Sequence, residues 1–168
     1  MIKAALQNKL RFVRSFITLI VLFVGGGSIY ILPYFSSYFY IPMKDAMHLS
    51  NVQLGLMGSA MGFTSMIFYW PGGWMADCFS PRKLTAISMI ANALLGFWLA
   101  TFPSFKVLLT IQLLMGVFLT LTFWSAMIKM VRQLAPNDQQ GRYFGILEGG
   151  RNVTAVVVVA AVRPRRSR

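Results

Sequence analysis

The chain has 168 residues, 57% of them hydrophobic and only 12% charged, with a mean hydropathy of +0.62 and a formal net charge of +12. Soluble domains are roughly 45–50% apolar and about 25% charged, so this composition excludes an ordinary water-soluble fold. The basic residues lie between apolar runs and at the ends of the chain, with no basic stripe interleaved with aromatics, which fits a positive-inside bias and excludes a nucleic-acid partner.

Residues 1–14 carry Lys3, Lys9, Arg11 and Arg14 and no acid; they read as a cytoplasmic N-terminal segment. The first spanning helix is expected over about 15–39. It is longer than a signal-peptide core, so it is expected to stay uncleaved. Gly25-Gly26-Gly27 would let a neighbouring helix approach closely, and Pro33 would kink the run. Tyr30, Tyr34 and Tyr38 recur every four residues and could line a central cavity or pack against lipid.

Residues 40–51 are expected to form an external loop. Ser50 and Gln53 have the spacing of a capping box, and a second helix should follow over about 51–70. Gly58 and Gly62 have the small-xxx-small spacing that permits close packing. Pro71-Gly72-Gly73 should end or bend that helix. A short polar break over 73–83 then joins it to a third helix over about 82–101, with Ser80 as N-cap and Pro81 in the first helical position. Ser88 and Asn92 are the polar positions of this third helix.

Phe102-Pro103-Ser104-Phe105-Lys106 is so short a turn that the third and fourth helices must form an antiparallel hairpin. The fourth is expected over about 107–127, with Gln112 and Gly116 on one face and Trp124 at an interfacial position. Lys129, Arg132, Asp138 and Arg142 mark a polar connection to a fifth helix over about 142–162. Glu148 and Arg151 lie three apart on one face of it. Charges within a bilayer are costly and usually functional. They are read either as a contact for solute or ion or as a structural ion pair. Residues 163–168 form a basic, irregular tail.

With the N-terminus inside, the inner segments hold nine basic residues and the two outer loops hold only Lys44 and Lys106. This makes the break over 73–83 cytoplasmic. The fold class is therefore all-α, a polytopic transmembrane helical bundle of five helices. Five crossings would place the tail and its four arginines outside, against the same bias. Either the tail is a genuine external terminus or the reading frame departs from its ancestral course near Val162, and the second is the expectation.

No nucleophile with a base, no metal cluster and no phosphate-binding loop is present in the sequence, so neither an enzyme nor a cofactor is expected. His48 has no metal-ligand companions. Cys78 is the only cysteine, and no disulfide framework exists.

The break over 73–83 carries a resemblance. Gly73, Asp77, Arg82 and Lys83 are similar to the Gly-x-x-x-Asp and basic end of the cytoplasmic loop between helices 2 and 3 in the major facilitator superfamily of secondary transporters. Cys78, Ser80 and Pro81 depart from that signature. The position of the loop, the short hairpin after the third helix, the charge topology and Gln53-Leu54-Gly55 at the second helix start add to the likeness.

The resemblance implies two six-helix halves that rock about a central site, giving alternating access to a small solute. Such a transporter needs roughly 12 spans, near 400 residues. The chain would then be the incomplete N-terminal half of a major facilitator fold in a bacterial inner membrane, inactive without the missing C-terminal half. The resemblance also makes Asp77 a latch between halves, with Arg82, Lys83, Lys129 and Arg132 as partners to consider. It places Gln112 where proton-coupled antiporters carry arginine, which argues against proton antiport. Tyr30, Tyr34, Asn92, Gln112, Glu148 and Arg151 are the possible contacts for a solute or ion. The alternative is a small helical membrane subunit that assists assembly or regulation and transports nothing.

Overall fold

The computed structural model describes the backbone of residues 2–162 and the side chains of residue 13 and residues 15–162. The basic tail and the side chains of Lys3, Lys9, Arg11 and Arg14 lie outside the described residues. Every element is helical: α1 (Ile2–Ile31), α2 (Phe35–Tyr38), α3 (Tyr40–Met47), α4 (Asn51–Cys78), α5 (Pro81–Leu99), α6 (Phe105–Val117), α7 (Ser125–Leu134) and α8 (Gln140–Val162). A π-helical segment, Phe118–Trp124, joins α6 to α7, and a short 3-10 turn, Asn137–Gln139, precedes α8.

Helix boundaries follow local chemistry, and several differ from expectation. The first helix was expected over 15–39 but runs Ile2–Ile31. Residues 2–14 are rich in Ala, Leu, Gln and Lys, which favour helix. Its end is set by Pro33, which biases the preceding residue away from helical geometry. The external loop expected over 40–51 is mostly α3, closed by His48 in the left-handed region at φ 52°. At the start of α4 the capping box forms as expected: the Gln53 amide donates to Ser50 Oγ at 3.2 Å, and the Ser50 amide donates to Gln53 Oε1 at 2.8 Å.

The second helix does not stop at residue 70. It runs to Cys78 with Pro71 inside it. A proline removes one amide donor, and packed neighbours can absorb that loss within a helical bundle. The helix α5 starts at Pro81 as expected, though Ser80 makes no side-chain cap bond. The turn before α6 places Phe102 at φ 52°. The expected fourth helix, 107–127, is lengthened at both ends into one continuous helix, Phe105–Leu134.

The contacts divide the chain into two compact units, Ile29–Met130 and Met1–Ser28 with Val131–Arg168. In the first, α4 packs along α6 and the π segment, and α5 packs against the same two elements. One core cluster joins Met43, Leu49, Leu54, Met57 and Leu108; a second joins Leu95, Ile111 and Met115. The interior also holds Thr64, Ser88, Asn92, Gln112, Thr120, Thr122 and Ser125, whereas Met66 and Trp70 stand 81% and 89% exposed. The interior is mainly apolar with a minority of polar groups, and the exposure of large apolar side chains suits a hydrocarbon surrounding.

In the second unit, α1 and α8 approach through glycines. A Cβ on Gly27 would lie 2.6 Å from Thr154 Cβ, and one on Gly150 would lie 2.5 Å from Phe23 Cγ. The expected close approach at the glycine triplet is thus present at Gly27. By contrast, Gly55, Gly58 and Gly62 on α4 meet nothing within 4 Å. The expected packing through Gly58 and Gly62 is absent among the described residues, because that face of α4 points outward.

Among the described residues, Phe105–Leu134 and Asn137–Val162 are each long and apolar enough to cross a membrane, and Ser15–Ile31 is a shorter apolar helix. The helix α4 is diluted by Gly55, Gly58, Ser59, Gly62, Thr64 and Ser65, and α5 opens on Arg82-Lys83.

Candidate functional site

The chemistry of the chain gathers where its helices are irregular. The first irregularity is the break after α1. Pro33 has no amide donor, the Phe35 amide turns back to the Leu32 carbonyl at 3.1 Å, and the Ser37 amide goes to Tyr34. The Pro33 carbonyl is left for a side chain to satisfy. Gln112, from the middle of α6, donates Nε2 to it at 2.6 Å. Gln112 is only 4% exposed. An amide is needed here: it is neutral, so it costs little to bury once bonded, and it donates where an apolar residue could not.

The second irregularity is the π segment. Its wide turns loosen the regular carbonyl-to-amide ladder, and side chains bridge the result. Ser88 Oγ, on α5, donates to the Phe118 carbonyl at 2.9 Å, and Thr122 Oγ1 donates to the same carbonyl from within the segment. Ser125 Oγ donates to the Thr120 carbonyl at 3.2 Å, and Thr120 Oγ1 donates to Ser65 Oγ at 3.0 Å. The thickened helix needs room, which Gly72 supplies: a Cβ there would lie 2.5 Å from Ser125 Oγ and 3.2 Å from the Thr120 carbonyl. Asn92 is buried beside this lattice. Its Nδ2 donates to the Ser88 carbonyl at 2.9 Å, and its Oδ1 has no partner among the described residues.

The two irregularities meet at Tyr30. Its ring stacks on Tyr34 at 6.2 Å and meets Phe123 and Trp124 edge-on at 6.2 and 6.3 Å. Phe123 is buried, while Tyr34 is 43% exposed, so the cluster has a sealed base and an open rim. Trp124, expected at an interfacial position, packs edge-on against Tyr30. The π segment that turns it there has no clear signature in an apolar run such as Phe118-Leu119-Thr120-Leu121.

The break over 73–83 is tighter than a loop. Gly73 and Asp77 belong to the last turns of α4, and only Phe79 and Ser80 lie between the helices. Ala76, Leu84 and Ala126 are buried together beneath it. Lys129, at the far end of the long helix, donates Nζ to the Ala76 carbonyl at 2.6 Å and to the Asp77 carbonyl at 3.3 Å. A cation at the C-terminal carbonyls of a helix opposes the partial negative charge there. Lys129 thus meets the backbone of Asp77 and not its carboxylate. The carboxylate forms no ion pair among the described residues, and Gly73, Asp77, Arg82 and Lys83 are all exposed.

In the other unit, Arg151 and Glu148 pair at 2.8 Å, with the arginine side chain 15% and the glutamate side chain 46% exposed. The Asn152 side-chain amide adds a bond to the Glu148 carbonyl at 2.9 Å. The pair joins neighbours on one helix, as the spacing of three predicts. No group of residues that could hold a metal ion is found among the described residues.

Comparison with known proteins places this architecture. Residues 11–162 match the family model of the Major Facilitator Superfamily. The chain is 38% identical over 140 residues to "Inner membrane protein YqcE" of Escherichia coli, covering 83% of this chain and 33% of that protein. It is 37% identical over 133 residues to "Inner membrane protein YihN" of the same organism, covering 79% of this chain and 32% of that protein. The chain thus spans about one third of the length of the curated relatives it matches. No solved structure matches it. With helical elements throughout the described residues and a family match over residues 11–162, the chain belongs to the Major Facilitator Superfamily, a superfamily of membrane transporters.

Proposed function

We propose that the chain forms the N-terminal part of a secondary transporter that moves a small solute across the bacterial inner membrane by alternating access. The observation that carries this reading is the broken first helix, pinned by Gln112 beside the open aromatic rim of Tyr30 and Tyr34. Irregular backbone at membrane depth is tolerated where it is buried in protein or lines a cavity, and broken helices are where transporters hold their cargo. The apolar runs of the sequence support five spanning helices, the charge asymmetry supports a cytoplasmic N-terminus, and the names of the Escherichia coli relatives support an inner-membrane location.

Within this proposal Tyr30, Tyr34 and Trp124 contact the solute. Gln112 and Asn92 position the helices that present those rings. Glu148 and Arg151 form a structural ion pair on α8, the alternative being a contact for the solute or ion. Gly73, Asp77, Arg82 and Lys83 form the cytoplasmic gate, with the Asp77 carboxylate free to bind a cation in the other half. A second half is required for transport; the open face of α4 at Gly55, Gly58, Gly62 and Gly73 offers a further helix a place to pack.

The test joins this chain in frame to the remaining two thirds of the YqcE relative. Uptake of a panel of labelled solutes is then measured in inside-facing and outside-facing vesicles. The joined protein is expected to take up at least one solute, and the chain alone none. Asp77→Asn in the joined protein is expected to lower the initial rate about tenfold, the scale of one lost charge-assisted contact. An unchanged rate at equal membrane abundance rules out the gate. Equal uptake by the chain alone rules out the need for a second half. A defined oligomer of the chain that supports no uptake in any context favours the small membrane subunit.

A further inference from the structure

Between α1 and the start of α8 lies a partly open cleft of about 160 Å³ that the transport reading does not use. It is lined by Phe16 and Leu19 from α1, Gln139 from the 3-10 turn, and Arg142, Tyr143 and Ile146 from the first turns of α8. Its lining is of two kinds: Gln139, Arg142 and Tyr143 supply an amide, a guanidinium and a phenol, and Phe16, Leu19 and Ile146 supply apolar surface. No carboxylate lines it, and Arg142 has no ion-pair partner among the described residues.

The position of Arg142 is unusual for an unpaired cation. It lies in the first turn of α8, where the helix dipole disfavours positive charge and attracts anions. The cost of holding it there is recovered if an anion occupies the cavity. The surroundings identify the kind of anion. The polar lining adjoins Pro136-Asn137-Asp138, at the polar limit of the apolar helix Asn137–Val162, while almost none of that helix is buried within the protein. An anion that reaches this place and also covers Phe16 and Ile146 must carry hydrocarbon.

We propose that this cavity binds one anionic phospholipid, with its phosphodiester on Arg142, Gln139 and Tyr143 and the start of an acyl chain along Phe16, Leu19 and Ile146. A guanidinium fork matches the phosphate geometry, and amide and phenol donors complete its coordination. Basic pockets between helices at the cytoplasmic side of a membrane hold anionic headgroups by the same forces. This site depends on the chain being integral to a membrane and not on its transporting a solute.

The test uses the full chain in nanodiscs of phosphatidylcholine doped with phosphatidylglycerol, followed by native mass spectrometry of retained lipid. The protein is expected to retain one phosphatidylglycerol in preference to phosphatidylcholine. Arg142→Gln is expected to cut that preference about fivefold, the effect of one basic residue at a charged interface. Lys106→Gln, a similar loss of charge elsewhere, is expected to leave it intact. Ile146→Trp, which fills the apolar part, should also release the lipid while helicity is unchanged. If Arg142→Gln does not fold, Arg142→Lys and Ile146→Trp carry the test. Equal retention of both lipids by the unaltered protein overturns the proposal, as does loss of preference in Lys106→Gln to the same degree as in Arg142→Gln. Displacement of the lipid by soluble glycerol phosphate at equal concentration would assign the site to a free phosphate ester and overturn the lipid. Failure of the chain to enter nanodiscs would instead count against the membrane reading itself.

Discussion

The two units of the molecule hold their helices together by different means. In Ile29–Met130, hydroxyls and amides do much of the joining. Gln112 reaches Pro33, Ser88 reaches Phe118, and Thr120 reaches Ser65. In the unit formed by Met1–Ser28 and Val131–Arg168, the described joints are small residues against large ones, Gly27 on Thr154 and Gly150 on Phe23. The lesson is about tolerance. A hydrogen-bonded joint fixes a broken backbone and leaves an orphan if one partner is lost. A small-against-large joint fixes distance alone, and a change on one side can be answered on the other.

That contrast can be broken in three places. The largest effect is expected for Gln112→Leu, which keeps the volume but leaves the Pro33 carbonyl buried without a donor. It should destabilise by about 2 kcal/mol, within the usual cost of an unsatisfied buried group, and should not be rescued by any apolar change around it. Detergent-titrated unfolding followed by circular dichroism checks this; a loss within error of zero would mean that water or a backbone group replaces Gln112. Next comes Gly150→Ala, whose added methyl overlaps the ring of Phe23. A loss of about 1 kcal/mol is expected from overpacking, and Phe23→Ala in the same chain should recover most of it. Additive losses in that double-mutant cycle would show that the two positions do not touch. The smallest effect belongs to Gly58→Ala and Gly62→Ala, whose new methyls meet open space. Both are expected within about 0.5 kcal/mol of the starting protein. A loss above that in the joined, full-length form, absent in the chain alone, would locate a helix of the second half on this face.

Much of the architecture was legible from local chemistry. Ser50 and Gln53 mark the start of α4 because a capping box needs only four consecutive residues. Pro81 marks the start of α5, and Pro103 marks the hairpin, for equally local reasons. The misses come from interactions that are not local. Pro71 ends a helix in isolation, yet α4 continues to Cys78 with Gly72 packed against the π segment. The basic residues before Phe16 set the expected start of the first helix near residue 15, yet Lys and Arg are good helix formers and α1 begins at Ile2. The importance of Tyr30 was visible from its spacing with Tyr34, whereas the approach of Trp124 was not. It depends on a change of helical pitch that leaves hydrophobic periodicity almost untouched. Lys129 was a candidate partner for Asp77, and it does arrive there, but on the carbonyls. A cation 52 residues away in sequence cannot announce whether it will meet a side chain or a helix end.

The π segment has one more implication. Each extra residue in a helical turn rotates everything beyond it by about 100° about the axis. Trp124 lies at the end of the wide stretch and Lys129 beyond it, so the azimuth of both is fixed by how many residues Phe118–Trp124 packs into its turns. One aims at Tyr30 and the other at the carbonyls of Ala76 and Asp77. The aromatic rim and the α4–α5 junction, at different positions along the same helix, therefore share a single phase angle. Rewinding that stretch to ordinary α-helical pitch would re-aim both at once, like two hands set on the same shaft.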